Sequence, residues 1–191
     1  MSLVDLKSIG EFLNNQSVGA AVGAFAAFLL VALTDWRRER RKVKTLRAEV
    51  EANRADAVAK LETARRMRAL LREHNKVEPA PVLRFNTALS RQLAAEVRHR
   101  LSGDQRRATE GLCYTMEAID ELLNEARSVA QRFTGPMGHA ERLSAASYLE
   151  VTWADIVTNL KRLIEMSDLY LSRRFKELVN KQYNAADYEE P

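Results

Sequence analysis

Residues 18–34 read VGAAVGAFAAFLLVALT, and the interpretation of this stretch decides the fold. It holds no charged side chain, and its first strong hydrogen-bonding group is Thr34. As a helix rising ~1.5 Å per residue it spans roughly 26 Å, enough for a thin hydrocarbon core. A helix satisfies its own backbone polar groups, as lipid requires. Asp35 and Trp36 close the stretch, and residues 37–47 then carry seven Arg or Lys against one Glu. A basic cluster beside an apolar span stays cytoplasmic, and Asp5, Lys7 and Glu11 ahead of the span offer nothing to compete. The expectation is one pass through the plasma (inner) membrane, with about 155 residues on the cytoplasmic side. A cleaved signal peptide needs a small-x-small cut site after the apolar core, where this chain has arginines. A buried core helix of a soluble domain is the competing reading, because Ala and Gly are frequent in the stretch.

Composition outside the stretch points to helices. Among 191 residues there are seven Gly and four Pro, and Ala, Leu, Arg and Glu dominate. A single cysteine, Cys113, excludes an internal disulfide and fits a reducing compartment. The formal net charge of +4 is unevenly spread. Residues 37–75 carry thirteen basic and six acidic side chains, and residues 76–191 sixteen and seventeen. The positive field belongs to the first cytoplasmic helix, where anionic lipid, nucleic acid or an acidic partner can use it.

Taken in order, the chain divides into residues 1–17, an amphipathic helix and hinge; 18–36, the transmembrane helix; 37–76, a basic coiled-coil stalk; 77–183, a helical bundle; and 184–191, an acidic tail. Leu3, Leu6, Ile9 and Leu13 share one face, with Asp5, Lys7, Ser8 and Glu11 opposite, so residues 3–13 suit the bilayer interface. Asn14, Asn15, Gln16 and Ser17 form the hinge. Within the span, Gly19, Gly23 and Ala27 recur every fourth residue and let helix backbones approach closely, which favours a homo-oligomer, a tetramer first. No polar stripe lines the span. A pore built from it has small-residue walls, with Asp35 as an acidic ring at the cytoplasmic mouth; equally, Asp35 is a helix-end residue paired with nearby arginines. Arg37, Arg38, Arg40, Arg41 and Lys42 set topology and touch the membrane surface.

Residues 36–75 contain no Gly or Pro. Val43, Leu46, Val50, Ala57, Leu61, Ala64 and Leu71 form a narrow seam with Asn53 in register, coiled-coil-like but Ala-rich, so it needs later helices as a jacket. VEPAPV at 77–82 is a loop. A helix over 84–101 places Phe85, Leu89, Leu93, Val97 and Leu101 four apart. The next, capped by Asp104, runs to about Phe133 with Leu112, Met116, Ile119, Leu123, Ala126 and Ala130 inward. TGPMG at 134–138 breaks the chain. A last helix over 140–182 turns Leu149, Trp153, Ile156, Leu160 and Tyr170 inward. The fold class is all-α: a span continuing into a coiled-coil stalk and an antiparallel bundle.

Catalytic motifs are sparse. There is no H-E-x-x-H, Cys pair, P-loop or G-x-G-x-x-G. Glu96 and His99 make one E-x-x-H, whereas a di-iron bundle needs two plus two further Glu. Cys113 reads as a core thiol. The expectation is no enzyme, no metal and no cofactor. Arginine spacing is more informative. Arg84, Arg91 and Arg98 are seven apart on one face, and Arg65 and Arg72 repeat the spacing with Arg68 between them. If the two stripes face one another, they form a groove for a phosphate backbone. The other reading is a solvated face, or pairing with residues 108–126, which hold five acidic and no basic side chains.

The series of an amphipathic N-terminal helix (Leu3 to Leu13), a small-residue span (Val18 to Thr34), a basic stalk and a helical cytoplasmic domain resembles the tetrameric membrane effector family of the Hailong anti-phage defence system. The resemblance is one of architecture along the whole chain and assigns no individual residue. It implies an ion channel whose helical domain binds a single-stranded DNA oligomer and whose N-terminal helices regulate opening. Two functions follow as expectations. One is a homo-oligomeric pore gated by an anionic ligand on the basic helices. The other is a membrane-tethered adaptor whose bundle docks a protein and whose span is only an anchor.

Overall fold

The computed structural model describes residues 16–74, 76–78, 84–133 and 138–186. The described residues form five α-helices and one 3₁₀ turn, with no strand among them: α1 (Gln16–His74), α2 (Thr87–Glu96), the turn Arg98–Arg100, α3 (Gly103–Arg132), α4 (His139–Leu171) and α5 (Phe175–Ala186). The amphipathic helix expected at 3–13, Asn14 and Asn15 of the hinge, most of the 77–82 loop, residues 134–137 of the TGPMG break and residues 187–191 of the tail lie outside the described residues. Gln16 and Ser17, expected in the hinge, are already helical.

The chain divides into two compact units, residues 1–42 and 43–191. In the first, α1 is long and apolar enough to cross a membrane. Phe25, Phe28, Leu30 and Val31 are among its exposed side chains. The Thr34 hydroxyl folds back to the carbonyls of Leu30 and Val31, so this late polar group adds no unsatisfied donor.

In the second unit the seam read from sequence is buried by the chain's own helices. Leu46, Val50, Ala57, Leu61, Ala64 and Leu71 are all in the interior. The remainder of α1 is therefore one helix of the bundle, and its Ala-rich seam lets neighbouring helices approach closely. α3 packs against α4 along Leu112, Met116, Ile119, Leu123, Ala126 and Ala130, the threes and fours of an amphipathic helix. α4 answers with Leu149, Trp153, Ile156, Leu160 and Leu163. Polar groups within the core pair with one another: Asn53 donates to the Ser90 hydroxyl at 3.2 Å, and the hydroxyls of Thr109 and Tyr170 lie 3.2 Å apart. Cys113 is buried, and burial pushes its thiol up to about 11, as for an inert core residue.

Three boundaries differ from the sequence reading. The helix expected over 84–101 is shorter. Asn86 caps it, it ends at Glu96, and Val97 and Leu101 then dock on Leu46 through the 3₁₀ turn. The cap of α3 is Ser102 rather than Asp104: the Ser102 hydroxyl accepts from the Gln105 N–H at 3.2 Å while the Gln105 side chain accepts from the Ser102 N–H at 2.9 Å. The helix expected to run unbroken over 140–182 is two helices. Arg173 adopts φ 61°, and the Arg174 N–H reaches the Leu169 carbonyl at 2.9 Å, a Schellman-type stop without glycine. The Arg47 guanidinium takes the Leu171 carbonyl at 2.6 Å, satisfying a helix-end acceptor.

Candidate anion-binding clefts

Arg65, Arg68 and Arg72 lie at spacings of three and four on α1, one turn apart each. The core face beside them buries Ala64, Met67 and Leu71, which turns the arginines to the flank of α1. There they meet α4. Arg65, Arg68, Ala69, Arg72 and Glu73 line one wall of an open cleft of about 410 Å³, with Val157 and Lys161 of α4 on the other. The small Ala69 leaves the floor open. The Arg72 Nε pairs with Glu150 at 2.9 Å. The Arg68 Nε is buried and has no hydrogen-bond partner, a desolvated donor in the α1 flank.

The second arginine stripe does not face the first. Arg91 and Arg98, with Ala94, Ala95 and Leu101, line a smaller cleft of about 140 Å³ against Arg106, Thr109, Glu110 and Cys113 of α3. Arg91 is committed to a bidentate pair with Glu117, at 2.7 and 2.6 Å. The hydrogen bond from Arg91 holds the Glu117 carboxyl below the usual range. Arg84 reaches Asn124 at 3.4 Å. Arg84 and Arg91 thus face the acidic stretch 108–126, as the pairing alternative anticipates. The two stripes, whose mutual facing the spacing left open, line two separate clefts: α1 with α4, and α2 with α3.

Lys161 and Val157 were not legible as site residues, because only the docking of α4 on α1 brings them to the arginines. Asp120 likewise meets its partners only through packing. It accepts from the Phe85 N–H with both oxygens at 3.1 Å, next to buried Lys60, whose ammonium sits 4.3 Å from the Phe85 ring centre. Burial pushes the Asp120 carboxyl up, against the Phe85 hydrogen bond and the charges of Lys60 and Arg84. A carboxyl raised in the fold contributes stability that is complete below the ordinary carboxylate range and lost as pH rises through the raised value. Asp120→Asn keeps an acceptor for Phe85 and removes the charge. In urea titrations the variant is expected to unfold at a higher midpoint than the parent at pH 7, with the difference shrinking towards pH 4.

In the first unit, Gly19, Gly23 and Ala27 are exposed, and a Cβ added at Gly23 meets nothing within 4 Å. Asp35, Arg37, Arg38, Arg40 and Arg41 are exposed and Lys42 is half-buried. The Arg40 guanidinium stacks over Trp36, 3.9 Å from its ring centre. Among the described residues no group of three or more His, Cys, Asp or Glu is placed to hold a metal ion. No protein family model, curated protein or solved structure matches the chain.

Proposed function

We propose that the protein is a homo-oligomeric single-pass membrane effector whose helical domain, on the cytoplasmic side, senses a single-stranded nucleic acid and controls an ion-conducting pore, in an anti-phage role. The observation that carries the reading is the open cleft that gathers Arg65, Arg68, Arg72 and Lys161 against the single carboxylate Glu73. Four cations across one open cleft suit successive phosphates, whereas a protein carboxylate fills only one position. The open small-residue face at Gly19, Gly23 and Ala27 supports close packing of spans, and one chain cannot enclose a pore alone. A ligand shifts the assembly only by binding its two arrangements differently. The adaptor reading has one observation in its favour: Leu143, Tyr148 and Val151 are exposed along the first half of α4, an apolar surface that a docked protein covers.

The test is fluorescence anisotropy of a labelled single-stranded DNA 20-mer with the full chain in mild detergent, across a salt series. Replacing Arg65, Arg72 and Lys161 together by alanine is expected to weaken binding by tenfold or more and to flatten the log–log salt slope by about two to three. Unchanged affinity and slope would move the anion site elsewhere. A monomer by light scattering overturns the pore, and function that survives replacement of the span by a Leu-rich one establishes the adaptor.

A further inference from the structure

Three separate segments converge on the end of the helical domain where α1 enters it. Leu46 packs with Leu93, Val97 and Leu101, and Val43 lies against the same cluster, which sets the Arg98–Arg100 turn beside the start of this unit. The hydrogen bond from Arg47 to the Leu171 carbonyl brings the α4–α5 turn there too. Ser102 and Asp104 share an open cleft of about 440 Å³ with residues 173–177. Within residues 43–47, 97–107 and 171–177 there are nine Lys or Arg and only two carboxylates, Asp104 and Glu177. Arg174 and Glu177 form a pair, which leaves the balance strongly positive. This density is not general to the domain. The face of α3 that follows, residues 108–126, carries only acidic charge.

The turn that presents the third segment is held in an unusual way. Arg173 occupies the left-handed region where Gly or Asn is usual, and its side chain is exposed. The stop is specified by backbone hydrogen bonds, so an arginine there is not required for the turn itself. A strained backbone that presents a charge to solvent is a reason to ask what the charge meets.

We infer that this end of the domain is a binding face for anionic phospholipid head groups. The inference rests on the reading of residues 18–34 as a span. Val43 follows Asp35 by eight residues, so even a fully extended connection reaches only about 28 Å. The basic end is therefore always within reach of the leaflet from which the span emerges. A wide, shallow, multi-segment array of cations fits a plane of separate phosphates rather than one tracked strand. Lipid binding here would hold the domain against the bilayer, and it would weaken at high salt as surface electrostatics do.

The experiment places a fluorophore at Ser172→Cys in the full chain, with Ser144→Cys as the distant control. Ser144 lies near the start of α4, roughly 40 Å from Ser172 along the helix. Quenching by head-group-labelled lipid is measured in nanodiscs of phosphatidylcholine with and without phosphatidylglycerol. The expected result is about twofold stronger quenching at Ser172 with the anionic lipid, lost at molar salt, and no response at Ser144. Replacing Arg98, Arg100 and Arg174 by glutamine should abolish the difference; salt reversal on the parent serves if that variant misfolds. Equal quenching in both lipids by a properly inserted protein overturns the proposal. A protein that never enters the nanodisc overturns the span reading instead. Protection of Ser172 by a single-stranded oligonucleotide, with no lipid dependence, reassigns the face to nucleic acid.

Discussion

Trp153→Ala is expected to remove a large share of the stability of the helical domain. Trp153 sits in the middle of α4 with 3% of its surface exposed, on the face that also buries Leu149, Ile156 and Leu160. Truncating a buried tryptophan costs about 3–5 kcal/mol, the lost transfer energy plus the cavity left behind. A domain of this size holds only about 5–15 kcal/mol in total. α4 packs against α3 and α5, so the void opens inside the shared core of the bundle. The measurement is urea unfolding of the full chain in mild detergent, followed by circular dichroism at 222 nm. The paired control is Val151→Ala, two residues away and 61% exposed, expected to change stability by less than about 0.5 kcal/mol. Similar losses from both substitutions would show that the buried face of α4 is misassigned.

That control works because the burial pattern was legible in the sequence. The inward positions of α3 and α4 follow from period alone, since a residue every three or four places must face one direction. The same holds for the α1 seam, where even the polar Asn53 fell in register and is buried with Ser90 as its partner. The errors fall where backbone geometry is set by tertiary contact. Nothing in the sequence Ser172–Arg173–Arg174 signals a stop: there is no Gly or Pro, the turn is closed by backbone hydrogen bonds to Leu169 and Tyr170, and the Leu171 carbonyl is taken by Arg47, more than a hundred residues earlier. Likewise Val97 ends α2 to reach Leu46, a partner that periodicity does not reveal.

The arginines show the same division. Their spacing established which of them share a face, and Arg65, Arg68 and Arg72 do line one wall. Spacing does not fix how a helix is rotated in a bundle. The core residues decide that, and they turn α1 towards α4 and α2 towards α3. Lys161 therefore joins the first group, and Glu117 neutralises part of the second. The difference between the two clefts, Arg72 paired with Glu150 in one and Arg91 held by both oxygens of Glu117 in the other, is a property of packing.

Ala26→Lys combined with Leu29→Lys is expected to abolish membrane association, the largest effect of any substitution proposed. Both positions lie near the centre of the apolar stretch and both are exposed in the first unit. A lysine at the centre of a span costs about 2.5–3.5 kcal/mol, so two cost about 5–7 kcal/mol, a partition change of several thousandfold or more. Neither is close enough to an end to snorkel fully. The measurement is the fraction of full-length protein that stays in the pellet after alkaline carbonate extraction. Trp36→Lys is the control: at the end of the stretch, beside Arg37, its ammonium reaches the head groups, and pelleting should be unchanged. Gly23→Ile separates insertion from assembly. It keeps the span apolar, so the protein should still pellet, while the bulkier side chain blocks close helix approach and lowers the mass seen by light scattering. If the parent protein is already soluble without detergent and the two lysines only dissociate it, the apolar stretch is a helix covered by copies of itself in water. The pore, the tether and the lipid-binding face would then fall together. If instead pelleting is lost with the lysines and kept with isoleucine, the stretch spans the bilayer and its small-residue face is what joins one chain to the next.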